Sequence, residues 1–305
     1  MKCTDPNYAL ILHKEEDFPF INGKYHIKFL GHSPNHKVAY YLERYGSDQI
    51  IPVPCGHCLA CRTNYVKDWS VRCMLEASMY KDNYFVTLTY DDDHITKACR
   101  KDFKQFLDRL DYYLPGVRFF ACFEKGETTG RGHFHAILFN CPIPDLKFIG
   151  RRDGNPVYES DLIKKCWRNG LIDIGDVSMA SCQYVAGYVM KKLRKKDDDE
   201  YVMMSTHPGL GYDYFQKHFD VIYDTDGIYL SGKKCKVPRY FDKLLDRVSP
   251  DTFRSVKYNR LKDVSSGVIA DLLVHGLINL TDLNDYNRRV YVNQMKDKLN
   301  KRSAI

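Results

Sequence analysis

The 305-residue sequence predicts an α+β fold with a central antiparallel sheet flanked by helices. Three observations carry that prediction. Runs rich in β-branched and aromatic residues stand at 84–90, 118–124 and 132–139. Apolar positions at three- and four-residue spacing stand at 62–80 and 100–113. A turn of only a few residues, 126–131, separates the last two strand-like runs and makes them neighbours.

Taken in order, residues 1–54 consist of short mixed segments with turn signals at 31–35 and 46–48, and they read as strand-rich rather than helical. A helix is expected over 62–80, where Tyr65, Trp69, Val71, Met74, Leu75 and Met79 form the buried stripe. The strand at 84–90 stops at three aspartates, and the helix at 100–113 is ended by Leu114, Pro115 and Gly116. Further helices are expected at 160–169 and 181–194, with a strand at 171–177 between them. Beyond 200 the composition turns polar, and the last thirty or so residues read as an exposed basic helix. The expected domains are an N-terminal segment with a cysteine cluster (1–70), a core (71–200) and a C-terminal extension with a basic helical tail (201–305).

Composition narrows the function classes. Hydrophobic residues make up 44% and charged residues 28%, values of a globular chain, and no unbroken apolar run is long enough to cross a bilayer. No membrane partner is therefore expected. The N-terminus lacks the charged, apolar and small-residue succession of a secretory signal, which points to a cytoplasm. Eleven cysteines in such a chain favour thiols or metal ligands over a disulfide framework. A net charge of +7 suits a polyanionic partner, and 23 tyrosines offer faces on which unpaired bases can stack.

Two motifs carry chemistry. His133 and His135 flank Phe134 in a strand, so alternation puts both imidazoles on one face, and the hairpin returns Glu124 beside them. Two imidazoles and one carboxylate suit Mn²⁺ or Mg²⁺ contacting a phosphate oxygen; the alternative is a pair of hydrogen-bonded core histidines. Tyr184 and Tyr188 lie four residues apart on one helical face, with Lys191 three residues further on. A phenol with an ordinary pKa near ~10 needs a neighbouring cation or a polarised substrate to act as a nucleophile, and Lys191 offers that cation. The other reading is an amphipathic helix with aromatic core positions.

A third motif, Cys55-x-x-Cys58-x-x-Cys61, has thiolate spacing suited to a soft metal, with Cys3 favoured over His57 as a fourth ligand of a structural Zn²⁺. An iron–sulfur site and plain reduced cysteines are the competing readings. The basic run containing Lys192, Arg194 and Lys195 either holds DNA phosphates or forms a solvated helix end. No G-x-x-x-x-G-K-[ST] phosphate loop is present in the sequence.

Residues 85–89, 132–135 and 184–191 resemble, in order and spacing, the motifs of HUH endonucleases, whose core is ferredoxin- or RRM-like. The two-tyrosine form resembles the branch containing initiators of small isometric single-stranded DNA phages. The nearer likeness is to the gokushovirus (Microviridae) replication initiators, with similar patterns at 54–62, 85–94, 120–139 and 208–211, over roughly 1–245. That resemblance implies metal ligation by His133, His135 and Glu124, paired nucleophiles Tyr184 and Tyr188, and Lys191 as helper.

It further implies rolling-circle initiation in a bacterial host cytoplasm: site-specific nicking and rejoining of single-stranded origin DNA through a 5′-phosphotyrosine, with host helicase and DNA polymerase as partners. Initiators of the broader group often carry a lysine just before the second tyrosine, where this chain has Gly187. Rival expectations are a two-tyrosine transposase or plasmid initiator, a non-catalytic zinc-containing nucleic-acid-binding protein, and a hydrolase that uses water.

Overall fold

A computed structural model of the chain describes residues 3, 5–12, 26–32, 35–45, 49–94, 100–126, 130–192, 201–257 and 259–260. It divides into two compact units, one of 1–62 with 245–305 and one of 63–244. All described cysteines are free thiols. Among the described residues, no helix is long and apolar enough to cross a membrane.

In the first unit, β1 (Asn7–Leu12) is the middle of an antiparallel sheet between β2 (His26–His32) and β3 (Ile50–Val53). This segment is not purely strand-like, because α1 (His36–Tyr45) stands between β2 and β3. Asn35 starts it: its side-chain oxygen accepts from the backbone N–H groups of Lys37 and Val38 at 3.0 and 3.1 Å. A cap set by one asparagine after a turn signal is a weak sequence mark.

The second unit begins within α2 (Leu59–Ala77) and is built on a seven-stranded sheet. Its elements follow as β4 (Tyr84–Tyr90), α3 (Arg100–Tyr113), β5 (Arg118–Lys125), β6 (Gly132–Phe139), β7 (Lys147–Arg152), β8 (Asn155–Glu159), α4 (Asp161–Cys166), β9 (Gly170–Asp176), α5 (Met179–Lys192) and β10 (Tyr201–Met204). The strand order is β10-β5-β6-β4-β9-β8-β7, with every pair antiparallel. After it come α6 (Tyr212–Asp224), the hairpin β11 (Ile228–Leu230) with β12 (Lys233–Cys235), and α7 (Arg239–Val248). The α+β class and the central antiparallel sheet are as the sequence predicts.

Alternation along the central strands divides the core into two layers. Val86, Leu88 and Tyr90 of β4, Ala121 and Phe123 of β5, and Phe134, Ala136 and Leu138 of β6 pack with Phe103, Phe106 and Leu110 of α3 and with Ile163 and Trp167. On the opposite face, Phe120, Cys122, Ile137 and Phe139 pack with Cys73 of α2 and with Cys182, Val185 and Ala186 of α5. The helix boundaries have local causes. Ser160 caps α4 by accepting from Ile163 N–H at 3.1 Å, and that helix ends at Cys166 rather than 169. The Ser178 hydroxyl accepts from Ser181 N–H at 3.1 Å, while Ser178 N–H donates to the Ser181 hydroxyl at 2.8 Å. That reciprocal pair starts α5 at Met179, two residues before the sequence boundary.

The 208–211 segment is held by a buried ionic group. Arg118 pairs with Glu76 at 2.5 Å and donates to the Pro208 carbonyl at 2.7 Å, and Gly211 N–H donates to Glu76 at 2.6 Å. Gly211 begins α6 at φ +82°, a left-handed conformation that disfavours any residue with a Cβ. The basic tail expected at the C-terminus, together with Leu193, Arg194 and Lys195, lies outside the described residues, as do the side chains of Lys191 and Lys192.

Candidate active site

The polar end of the α5 face of the sheet gathers the predicted residues. Strand register places Glu124 of β5 directly opposite His133 of β6, and Thr87 and Thr89 of β4 opposite His135 and His133 on the other side. All five side chains therefore share one face, across three adjacent strands. Gly132 lets β6 enter here: a Cβ at this position would stand 2.9 Å from the Phe123 ring.

Each imidazole has one fixed nitrogen. Thr87 Oγ1 lies 3.1 Å from His135 Nδ1, and Thr89 Oγ1 lies 3.0 Å from His133 Nδ1. The other nitrogen of His135, Nε2, meets Glu124 Oε1 at 2.9 Å, with both side chains largely buried. The His133 and His135 rings stack at 6.1 Å between centroids. Burial, and secondarily the neighbouring His135, lower the pKa of His133, which favours neutral imidazole.

Helix α5 brings both phenols over these groups. Its buried side, Cys182, Val185 and Ala186, fixes the helix against the sheet, so the next positions around project along the site. The Tyr184 hydroxyl donates to Glu124 Oε1 at 3.4 Å and lies 3.5 Å from His135 Nε2. Tyr188 in turn donates to the Tyr184 oxygen at 2.8 Å. Tyr184 is 45% exposed and Tyr188 only 8%, so substrate reaches the first more readily. Burial raises both phenol pKa values, but the bond from Tyr188 opposes that rise at Tyr184, whereas donating it raises Tyr188 further.

Thr87 and Thr89 received no role from sequence, although strand alternation alone puts them on the histidine face. The other predicted cluster stands apart. Cys3, Cys55, Cys58 and Cys61 all belong to the first unit, with their four sulfurs within 4.8 Å of one another. They could hold a metal ion of the soft class.

Comparison with known proteins decides the family. Residues 83–196 match the family model of the replication-associated protein ORF2. Across 225 residues the chain is 34% identical to the replication-associated protein ORF2 of Spiroplasma virus 4, spanning 66% of this chain and 70% of that protein. The chain belongs to the gokushovirus-type phage replication-associated proteins. Two other relatives are the replication-associated protein VP4 of Bdellovibrio phage phiMH2K, 28% identical over 72% of this chain and 75% of that one, and ORF4 of Chlamydia phage 1, 29% identical over 69% and 58%. No solved structure is significantly similar. The family match spans every residue of the site on β4, β5, β6 and α5, whereas the cysteine cluster of this replication-associated protein lies before it.

Proposed function

We propose that this replication-associated protein is a metal-dependent single-strand DNA endonuclease and ligase that starts rolling-circle replication through a covalent tyrosine link. The observation that carries the reading is the Tyr184 hydroxyl within 3.5 Å of both Glu124 and His135, on a face shared with His133. A nucleophile beside two imidazoles and a carboxylate is suited to phosphoryl transfer.

The donor set fits a divalent cation. Thr87 and Thr89 can accept from Nδ1–H, which leaves each Nε2 lone pair for a metal, and Glu124 adds a hard oxygen. Bound by His133, His135 and Glu124, Mn²⁺ or Mg²⁺ supplies Lewis-acid polarisation of the scissile phosphate.

Tyr184 is the first attacker in this proposal, on exposure and on the bond it accepts from Tyr188. Its oxygen forms the new bond to phosphorus as the bond to the 3′-oxygen breaks. The phenolic proton passes to solvent, and the departing oxygen takes one up to become a 3′-hydroxyl that primes synthesis. The ester retains the energy of the phosphodiester, so rejoining needs no nucleotide. Tyr188 serves the next round, when the regenerated origin is cut while the first ester is resolved. Lys191 supplies positive charge for the phenols, and Lys192, Arg194 and Lys195 hold phosphates. Host helicase and polymerase provide unwinding and synthesis.

The test is incubation with labelled single-stranded origin DNA and Mn²⁺, followed by denaturing electrophoresis, for wild type, Tyr184→Phe, Tyr188→Phe and the double variant. A labelled band that travels with the protein, needs metal and vanishes in the double variant is expected. Nicking without attachment assigns the cut to water. Binding without cutting leaves a non-catalytic nucleic-acid-binding protein.

A further inference from the structure

The first unit holds a second cluster of ligand-type side chains that the tyrosine chemistry does not use. Cys55, Cys58 and Cys61 follow one another at three-residue steps where β3 passes into α2, and Cys3 comes from the other end of the unit's chain. The Cys55 and Cys61 sulfurs are 4.0 Å apart and the Cys58 and Cys3 sulfurs 3.8 Å. A disulfide would need about 2.05 Å. A tetrahedral ion with Zn–S bonds of about 2.3 Å sets its sulfurs about 3.8 Å apart, which is the spacing found.

The backbone around the cluster is arranged for negative sulfur. Cys55 N–H donates to Cys3 Sγ at 3.3 Å, Cys58 N–H to Cys55 Sγ at 3.4 Å, and Cys61 N–H to Cys58 Sγ at 3.4 Å. Three amides thus point at three sulfurs, and amide bonds to a charged acceptor are markedly stronger than to a neutral thiol. Gly56, at φ +82° with open space around it, makes the turn that aims the first two amides inward. These are independent of the spacing in the sequence.

We propose that Cys3, Cys55, Cys58 and Cys61 form a tetrathiolate site for a single zinc ion that ties residue 3 to the start of α2. Soft sulfur donors select zinc over Mg²⁺ or Mn²⁺, so this site takes a different class of metal from the histidine and glutamate set. With four protein ligands no coordination position stays open, and the role is structural rather than catalytic. An iron–sulfur cluster needs inorganic sulfide between irons and spreads the cysteine sulfurs; the observed separations match one ion. The inference stands whether or not the chain nicks DNA.

The experiment measures metal in the full-length protein after gel filtration in metal-free buffer, for wild type, His133→Ala/His135→Ala and Cys58→Ser/Cys61→Ser. One equivalent of zinc per chain is expected in the first two and a loss to near zero in the third. Because the cysteine variant is at risk of misfolding, wild type reconstituted with Co²⁺ gives a second readout: intense thiolate-to-cobalt charge-transfer absorption with tetrahedral visible bands. Wild type without zinc and without that absorption overturns the proposal. Zinc lost with the two histidines instead of the two cysteines overturns the assignment, and bound iron with acid-labile sulfide replaces zinc with a cluster.

Discussion

One strand, β6, shows two faces with opposite demands. Phe134 is fully buried among the rings of Tyr90, Phe103, Phe123, Trp167 and Tyr201, whose centroids lie 5.0 to 6.1 Å away. His133 and His135, one residue to either side, face Thr87, Thr89, Glu124 and Tyr184. The first face asks only for apolar volume and shape. The second requires that each polar group find a specific partner, because an unpaired buried polar group is costly. Stability and chemistry are thus separated by a single step along the strand, which lets them be perturbed one at a time.

The largest effect expected from breaking the polar side alone is on reaction. Tyr184→Phe with Tyr188→Phe should reduce covalent adduct on the order of 10³-fold or more, the scale of losing a nucleophile, while the denaturation midpoint stays near wild type. A large drop in that midpoint would mean the phenols belong to the core. On the other face, Phe134→Ala should cost about 3–5 kcal/mol of unfolding free energy through lost burial and a residual cavity, measured by urea titration. If the loss is below about 1 kcal/mol, the ring cluster is not the organising layer. An intermediate effect comes from the threonines. Thr87→Val keeps the shape but removes the oxygen that holds His135 Nδ1, and should weaken Mn²⁺ binding about 10–100-fold by calorimetry with little change in folding. Unchanged affinity would remove Thr87 from the positioning of that imidazole.

These two faces also explain what was legible in the sequence. The period-two runs at β4, β5 and β6 announce themselves, since each has one fully apolar face. Glu124 follows from the short hairpin, and the tyrosines from their helical spacing. The hairpin of β7 and β8 did not: at the sheet edge its burial is slight, with Phe148 60% and Ile149 53% exposed, so no alternation marks it. Strand β10 is four residues long and leans on β5 for definition, and α6 and α7 lie in a stretch whose average polarity conceals their narrow apolar stripes. Helix α1 was hidden for a similar reason. The Glu76–Arg118 group that anchors residues 208–211 joins positions far apart in the chain, and spacing rules carry no information about such pairs.

The smallest expected effect concerns Gly187, the position where related initiators often carry lysine. It sits inside α5 between the two tyrosines, and a Cβ placed there meets no atom within 4 Å. Glycine in a helix interior is less favourable than alanine by roughly 0.8–1.0 kcal/mol, so Gly187→Ala should stabilise the protein by up to about that amount in urea unfolding. If the open space serves the substrate, the same change should lower adduct formation while raising stability. Gly187→Lys then separates two causes. Restored or enhanced activity would mean the site tolerates bulk and gains from charge, whereas activity lost in both variants would mean the gap beside Tyr184 and Tyr188 is needed for the DNA strand to reach the phenols.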